Sequence, residues 1–281
     1  MGALAAIGRG HAAQHLFDVL AAARKGGSRA VGAGHSLAHT PQGIERSWPW
    51  QPDRYCAPMP SDDAKFLGLI AGDAPERFGF TVENHLARMD GCLYGGTAIA
   101  VSIAAAELVT ERTPLWMTTQ FVATAPANER ISVLAEVLAP GRRTNQVRVT
   151  GTNADGDIVF ASLGATGIAR PDGLNGAFER APSVEPPENS EPWTNPLYSM
   201  LRLAGIEGPI PELPTDLGFT SAIDIRQPVI VEHPDPGPGR FCLWVRRRDH
   251  SPISPAVAAY LADMVPMSVA HACGAAAGGL S

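Results

Sequence analysis

One acidic residue near the end of the chain has the surroundings expected of a catalytic carboxylate. Asp263 follows Leu261 and Ala262 and precedes Val265 and Pro266, so its neighbours along the chain are mostly apolar. Burial among such residues raises the pKa of a carboxyl group, whereas hydrogen bonds are needed to keep it ionised. An ionised Asp263 can deprotonate a water molecule for attack on a carbonyl carbon. The alternative is a helix-surface or capping aspartate.

Two other patterns can bind groups of a substrate. Gly95 and Gly96 precede an apolar stretch that predicts a helix, and glycine lets the backbone approach a ligand closely. The free N–H groups of a helix start can hold a carbonyl oxygen or a phosphate, although a tight turn explains the glycines as well. Arg142 and Arg143 lie at a predicted turn, where guanidinium groups can pair with phosphates. The alternative for the arginines is a solvated hairpin end.

Other chemical signals fail on their context. The string GHSLA at residues 34–38 approximates a nucleophile elbow, but an α/β-hydrolase needs several strands before that turn. The overlapping string at residues 29–36 looks like the pyrophosphate loop of sugar-lactone flavin oxidases, but the rest of that fold is missing. Two histidine pairs have the spacing of metal ligands without a third ligand: His11 with His15, and His35 with His39. We therefore expect no cofactor and no metal.

The elements that must position Asp263 and the two glycines can be read from the hydrophobic pattern. A short helix at residues 62–68 and a strand at 78–86 come first. From Thr97 the string TAIAVSIAAAELVTER is apolar on almost every face, which predicts a buried helix. Alternating apolar and polar residues then predict four strands, bounded by turn signals, at residues 116–123, 131–138, 144–151 and 157–165.

A lone helix that is apolar on all sides, with small alanine side chains, fits a sheet curled around it better than a flat sheet. The prediction is an α+β hotdog fold over residues 61–170: a long helix wrapped by a curled antiparallel sheet. Residues 1–60 predict a poorly ordered extension with a short helix around residues 11–25. Residues 171–216 predict a linker rich in proline.

A second pass of the same pattern follows over residues 217–281. It predicts strands at 220–231 and 241–247 and a helix at 254–274. If Gly96 and Pro255 are matching helix starts, Asp263 corresponds to Ala104, so only the second half carries the acid. The sequence ends at Ser281 without strands after this helix, and we expect an incomplete second hotdog copy.

Several ordered motifs resemble the thioesterase II-like acyl-CoA thioesterases with a double hotdog, particularly those of actinobacterial type. They are LYGG at residues 93–96, LWMTTQF at 115–121, GRRTNQVRV at 141–149 and LADMVP at 261–266. The resemblance runs from about Phe66 to Ser281. It implies hydrolysis of acyl-CoA thioesters, with Asp263 as the catalytic acid of the second helix and a Ser or Thr and a Gln supplied by strands that follow.

The predicted function is therefore an acyl-CoA thioesterase of acyl-CoA and lipid metabolism, with Asp263 as catalytic residue and Gly95, Gly96 and Arg142 as substrate-binding residues. The alternative is a non-catalytic hotdog module that binds acyl-CoA or serves dimerisation. The net charge of -6 argues against a nucleic-acid partner. No apolar run is long enough to span a membrane, and the four scattered cysteines suit a cytoplasmic protein. We also expect a homo-oligomer.

Overall fold

The computed structural model describes residues 62–168, 184–192, 216–228 and 242–264. These ranges all belong to the unit that runs from Arg54 to Ser281. The predicted extension over residues 1–60 and both histidine pairs lie outside the described residues. None of the helices within the described ranges is both long and apolar enough to cross a membrane.

The first part of the described chain follows the predicted order of strand, helix and four strands. Its elements are α1 (Asp62–Phe66), β1 (Ile70–Ala71), β2 (Arg77–Thr81), α2 (Gly95–Thr110), β3 (Thr113–Phe121), β4 (Arg130–Ala139), β5 (Thr144–Thr152) and β6 (Ile158–Gly167). The strand predicted at residues 78–86 corresponds to β2 and ends at Thr81. Its predicted last residues form a 3-10 turn instead, at Asn84–Leu86.

The six strands form one antiparallel sheet in the order β1-β2-β4-β5-β6-β3. Helix α2 packs on this sheet, and its residues from Gly96 to Ala106 are buried except Ile99. Small side chains allow this close packing, because seven of its sixteen residues are alanine or glycine. The predicted α+β hotdog architecture is confirmed for this part of the chain.

Three hydroxyl groups form a hydrogen-bonded chain between the helix and the sheet. The hydroxyl of Ser102 donates to the Ala98 carbonyl at 2.8 Å and lies 2.8 Å from the hydroxyl of Ser162. The Ser162 hydroxyl lies 2.8 Å from that of Thr119 on β3. Because a carbonyl only accepts and each hydroxyl has one proton, Ser162 donates to Ser102 and Thr119 donates to Ser162. The Thr119 side chain therefore faces α2, and its hydroxyl proton is donated to Ser162.

The second part contains a smaller antiparallel sheet and one helix. Strands β7 (Glu191–Pro192), β8 (Ile223–Gln227) and β9 (Trp244–Arg247) pair in the order β7-β8-β9, and α3 (Pro255–Ala262) follows. Two residues of the segment predicted as a linker thus pair with β8. The strand predicted from residue 220 begins at Ile223, after a 3-10 turn at Gly218–Ser221. The predicted division of the chain at residues 60, 170 and 216 stays a prediction.

Helix α3 is shorter than the sequence pattern predicts. Ser254 caps its first turn by accepting a hydrogen bond from the Val257 N–H at 3.0 Å, and Pro255 occupies the first helical position. The helix ends at Ala262, and Asp263 has left helical geometry with ψ of 49°. Pro266 offers a reason, because it has no N–H to donate to the Ala262 carbonyl. Asp263 is therefore at the end of α3 instead of inside a longer helix.

An aromatic cluster connects the two parts. The rings of Tyr94 and Phe219 are stacked with centroids 4.5 Å apart, and Tyr260 meets Tyr94 edge to face at 5.3 Å. The Tyr260 hydroxyl donates to the His85 carbonyl at 2.5 Å. The Tyr94 hydroxyl is also hydrogen-bonded, to the Asp263 carbonyl. Because both tyrosine hydroxyls have partners, water can be excluded from this contact without leaving an unpaired polar group. The cluster fixes where α3 ends relative to α2.

Replacing Ser162 by alanine tests the hydroxyl chain. The variant leaves the Thr119 proton and the Ser102 oxygen without their partner, so the free energy of unfolding should fall by about 1–3 kcal/mol. Ser132→Ala is the matched control, because Ser132 is exposed on the same sheet and should change stability by less than ~0.5 kcal/mol. Urea denaturation of the three proteins gives the values. Equal stability of Ser162→Ala and the wild type would contradict the assigned chain.

Candidate active site

The carboxylate of Asp263 lies at the N-terminal end of α2. The Gly96 N–H donates a hydrogen bond to it. A Cβ atom added to Gly95 would lie only 2.6 Å from Oδ2 of Asp263. The backbone amides of a helix start carry partial positive charge, which favours a negatively charged group there. Glycine at position 95 is required because any side chain would displace the carboxylate.

Gly96 has a different structural reason from Gly95. A Cβ atom on Gly96 would lie 2.5 Å from Cε1 of Tyr94 and 2.6 Å from the Tyr260 carbonyl oxygen. The absence of a side chain therefore lets α3 and the Tyr94 ring approach the start of α2. This approach is what brings Asp263, three residues after Tyr260, to the helix end.

Tyr94 holds the backbone of Asp263. Its hydroxyl donates to the Asp263 carbonyl at 2.8 Å. Burial raises the pKa of Tyr94, and the nearby negative charge of Asp263 raises it further. The hydroxyl consequently stays protonated and remains a donor at physiological pH. Tyr94 is a positioning residue, since its bond is to the main chain and not to the carboxylate.

Opposing influences act on the pKa of Asp263. Burial raises it and is the largest of them, whereas the Gly96 N–H and the positive charge of Arg88 lower it. The net direction is upward from the usual range of an aspartate. Arg88 itself donates to Asp90 at 2.6 Å, so its guanidinium is held by a second acid. An aspartate with a raised pKa that is still hydrogen-bonded as a carboxylate has the properties of a general base.

An aromatic ring forms the other side of this site. Cζ of Phe121, the last residue of β3, would lie 3.2 Å from a Cβ atom on Gly95. The ring and the Asp263 carboxylate are therefore about 6 Å apart at most, because both lie within roughly 3 Å of one point. The site thus combines a carboxylate, a helix N-terminus and an apolar wall.

Comparisons with known proteins agree with this architecture. Residues 86–167 match the family model of the acyl-CoA thioesterase N-terminal domain. This part of the chain is therefore similar to an acyl-CoA thioesterase domain. The match spans α2 and strands β3 to β6 of the curled sheet, and it confirms the resemblance for the three motifs that lie within residues 86–167.

Two solved structures are similar to this chain. A candidate thioesterase from Novosphingobium aromaticivorans is 28% identical with a TM-score of 0.60, over 74% of this chain and 76% of that one. A hotdog protein of unknown function from Alicyclobacillus acidocaldarius is 21% identical with a TM-score of 0.58, over 76% of this chain and 72% of that one. The second likeness bears on the fold alone. No curated protein matches the chain.

The structure brings together three of the four residues predicted for the site. Asp263, Gly95 and Gly96 meet at the start of α2. Arg142 is exposed in the turn between β4 and β5. The neighbouring Gly141 carbonyl accepts a hydrogen bond from Arg112 at 3.0 Å, which places the turn near the C-terminal end of α2. Arg142 is thus at the other end of the helix, and its contact with substrate stays a prediction.

Sequence reasoning missed the roles of Tyr94 and Phe121. Both lie inside the motifs that carried the resemblance, but neither has a spacing that indicates a partner more than a hundred residues away. The predicted correspondence of Asp263 with Ala104 stays a prediction. Both Ala104 and its neighbour Ile103 are apolar and buried in α2.

Replacing Asp263 by asparagine should stabilise the protein at neutral pH. Because the folded-state pKa is raised, the folded protein binds the proton more tightly, and stability falls as pH rises from the unfolded pKa of about 3.9 through the folded pKa. Asparagine keeps an oxygen for the Gly96 N–H but removes the buried charge. Denaturant titrations from acid to neutral pH should show Asp263→Asn gaining stability over the wild type only as pH rises.

Asp155→Asn is the control for this titration, because Asp155 is exposed in the turn between β5 and β6. It should follow the wild type at every pH. A constant difference between Asp263→Asn and the wild type across the whole pH range would show that ionisation of Asp263 does not oppose folding.

Proposed function

We propose that this chain is an acyl-CoA thioesterase, which hydrolyses the thioester of an acyl-CoA to the free acid and CoA. The observation that carries the proposal is the Asp263 carboxylate at the N-terminal end of α2, inside a thioesterase-family fold. The likeness to the candidate thioesterase of Novosphingobium aromaticivorans supports the same reaction class. The nature of the acyl group is not part of this proposal.

Asp263 acts as general base in the proposed mechanism. Its carboxylate takes a proton from a water molecule, whose oxygen then adds to the thioester carbonyl carbon. The raised pKa brings the base closer to physiological pH, which makes proton transfer more efficient than with an ordinary aspartate. Tyr94 keeps the carboxylate in place through the main-chain bond to Asp263.

The start of α2 stabilises the negative charge that develops on the carbonyl oxygen. The Gly96 N–H is engaged by Asp263, so the Gly95 N–H, at the first position of the helix, is assigned to the substrate oxygen. Backbone amides fixed in a helix need no reorganisation when charge develops on the oxygen. The tetrahedral intermediate then collapses, the C–S bond breaks, and the proton held by Asp263 passes to the sulfur of CoA.

Other features of the proposed enzyme stay predictions. They are the second, incomplete hotdog copy, a homo-oligomeric assembly, a cytoplasmic location and a place in lipid metabolism. The Ser or Thr and the Gln that the family resemblance implies would come from strands after Asp263, and residues beyond Met264 lie outside the described ones. The proposed chemistry uses only residues up to Asp263.

Substituting Asp263 tests catalysis directly. Asp263→Asn should lower kcat/KM by ~100- to 10,000-fold, because the general base is lost while the side-chain shape is kept. Thiol release from acyl-CoAs, from acetyl-CoA to myristoyl-CoA, is the measurement. Asp155→Asn should keep the wild-type rate. Binding of acyl-CoA without any turnover by the wild type would instead select the non-catalytic hotdog module.

Gly95→Ala tests the helix start. The new methyl group would lie 2.6 Å from Oδ2 of Asp263, so the carboxylate must move and the activity should fall at least tenfold. The fold should persist, since alanine is a better helix former than glycine by about 1 kcal/mol. Thermal unfolding beside the rate assay separates the two effects. A variant with unchanged kcat/KM would refute the assigned contact between Gly95 and the catalytic carboxylate.

A further inference from the structure

The inner face of β3 is open next to the site, although its residues point towards α2. Phe121 pairs directly with Phe160 on β6, and Phe160 is fully buried whereas Phe121 is 37% exposed. The difference arises because β3 is an edge strand of the six-stranded sheet within the described residues. Met117 and Thr119, on the same face, are also only half-buried.

This open face continues from the carboxylate along the helix. Strand β3 runs antiparallel to α2, so Phe121 lies at the helix start, and Thr119 lies beside Ser102 through the hydroxyl chain. From Phe121 to Met117 the strand covers about 13 Å. On the helix, Ile99 lies one turn after Gly95 on the same side and is half-buried.

The chemistry of this face suits a hydrocarbon chain. Phe121 and Met117 are apolar. The side chain between them, Thr119, donates its hydroxyl proton to Ser162. No charged side chain lies among the three inward positions of β3. A chain of methylene groups would therefore meet no unpaired donor, which makes burial against this face favourable.

We propose that Phe121 is a specificity-determining residue, whose ring forms the wall for an aliphatic acyl chain that extends from the site past Thr119 towards Met117. The inference rests on the proposed thioesterase function and names the substrate class: thioesters of aliphatic acids with a chain long enough to contact this wall. The acyl carbon sits beside the Asp263 carboxylate at the start of α2, and the Phe121 ring contacts the carbons next to it.

Variants of Phe121 give the kinetic test. Phe121→Ala should lower the ratio of kcat/KM for decanoyl-CoA to that for acetyl-CoA about tenfold, mainly through a higher KM for decanoyl-CoA. Phe121→Leu keeps an apolar wall and should retain part of the ratio. The control is Trp116→Ala, because Trp116 is an aromatic residue of the same strand that is 51% exposed and pairs with Ala165 on the outward face. It should leave the ratio unchanged.

Binding separates this inference from the proposed function. Asp263→Asn keeps the wall without the base, and calorimetry with acetyl-, hexanoyl- and decanoyl-CoA should give affinities that increase with chain length. Adding Phe121→Ala should abolish that increase. If the wild type hydrolyses no acyl-CoA but this dependence is seen, only the hydrolase proposal fails.

Three results would overturn the role of Phe121. They are an unchanged chain-length ratio in Phe121→Ala, an equal change in Trp116→Ala, and an Asp263→Asn protein whose affinity for acyl-CoA is absent or independent of chain length. A change of oligomeric state in Phe121→Ala, seen by size-exclusion chromatography with an unchanged chain-length ratio, would show that another protein surface covers the ring instead.

Discussion

The close approach of two helix ends is the constraint on which the candidate site depends. Asp263 reaches the first turn of α2 only because Gly96 has no side chain between the Tyr94 ring and the Tyr260 carbonyl. Gly95 leaves room for the carboxylate itself. Two adjacent glycines thus serve two different contacts, one between helices and one between a helix and a charged group. The hydrogen bond from the Gly96 N–H then fixes the carboxylate at the point where the proposed mechanism places the substrate carbonyl.

The curled sheet makes this approach possible by supporting α2 from its remaining sides. The helix is buried against strands that carry small or branched side chains, and the Ser102, Ser162 and Thr119 hydroxyls connect it to the edge of the sheet. A fully paired hydroxyl chain defines one register between helix and sheet. If either element slid along the other, a buried hydroxyl would lose its hydrogen-bond partner. The register in turn sets which residue of β3 reaches the helix start, and that residue is Phe121.

In the proposed mechanism, function and stability oppose each other at Asp263. Burial favours the neutral acid, whereas one backbone amide and the charge of Arg88 favour the carboxylate. The free energy that an ionised Asp263 takes from folding is the counterpart of its strength as a base. The aromatic cluster around Tyr94 offsets this cost, since its rings are buried and its hydroxyls are paired. The packing of Tyr94, Phe219 and Tyr260 thereby stabilises the position of the Asp263 carboxylate.

Local patterns in the sequence determined much of this protein. The all-round apolar string from Thr97 predicted a buried helix, and period-two alternation predicted the four strands after it, because side-chain periodicity reports which faces are covered. The resemblance of short motifs indicated the thioesterase family and singled out Asp263. The length of α3 was overestimated, since the apolar pattern continues past Ala262, where the helix ends.

Tertiary structure alone decided which of these residues meet. Asp263 and Gly95 are far apart in the chain, and no spacing rule relates them, because their contact depends on how two helices pack. The same holds for the Tyr94 bond to Asp263 and for the position of Phe121. Arg142 and Gly95 were both predicted to bind the substrate, yet they lie near opposite ends of a sixteen-residue helix that is about 24 Å long. Sequence specifies the chemical groups, whereas packing fixes the distances over which they act.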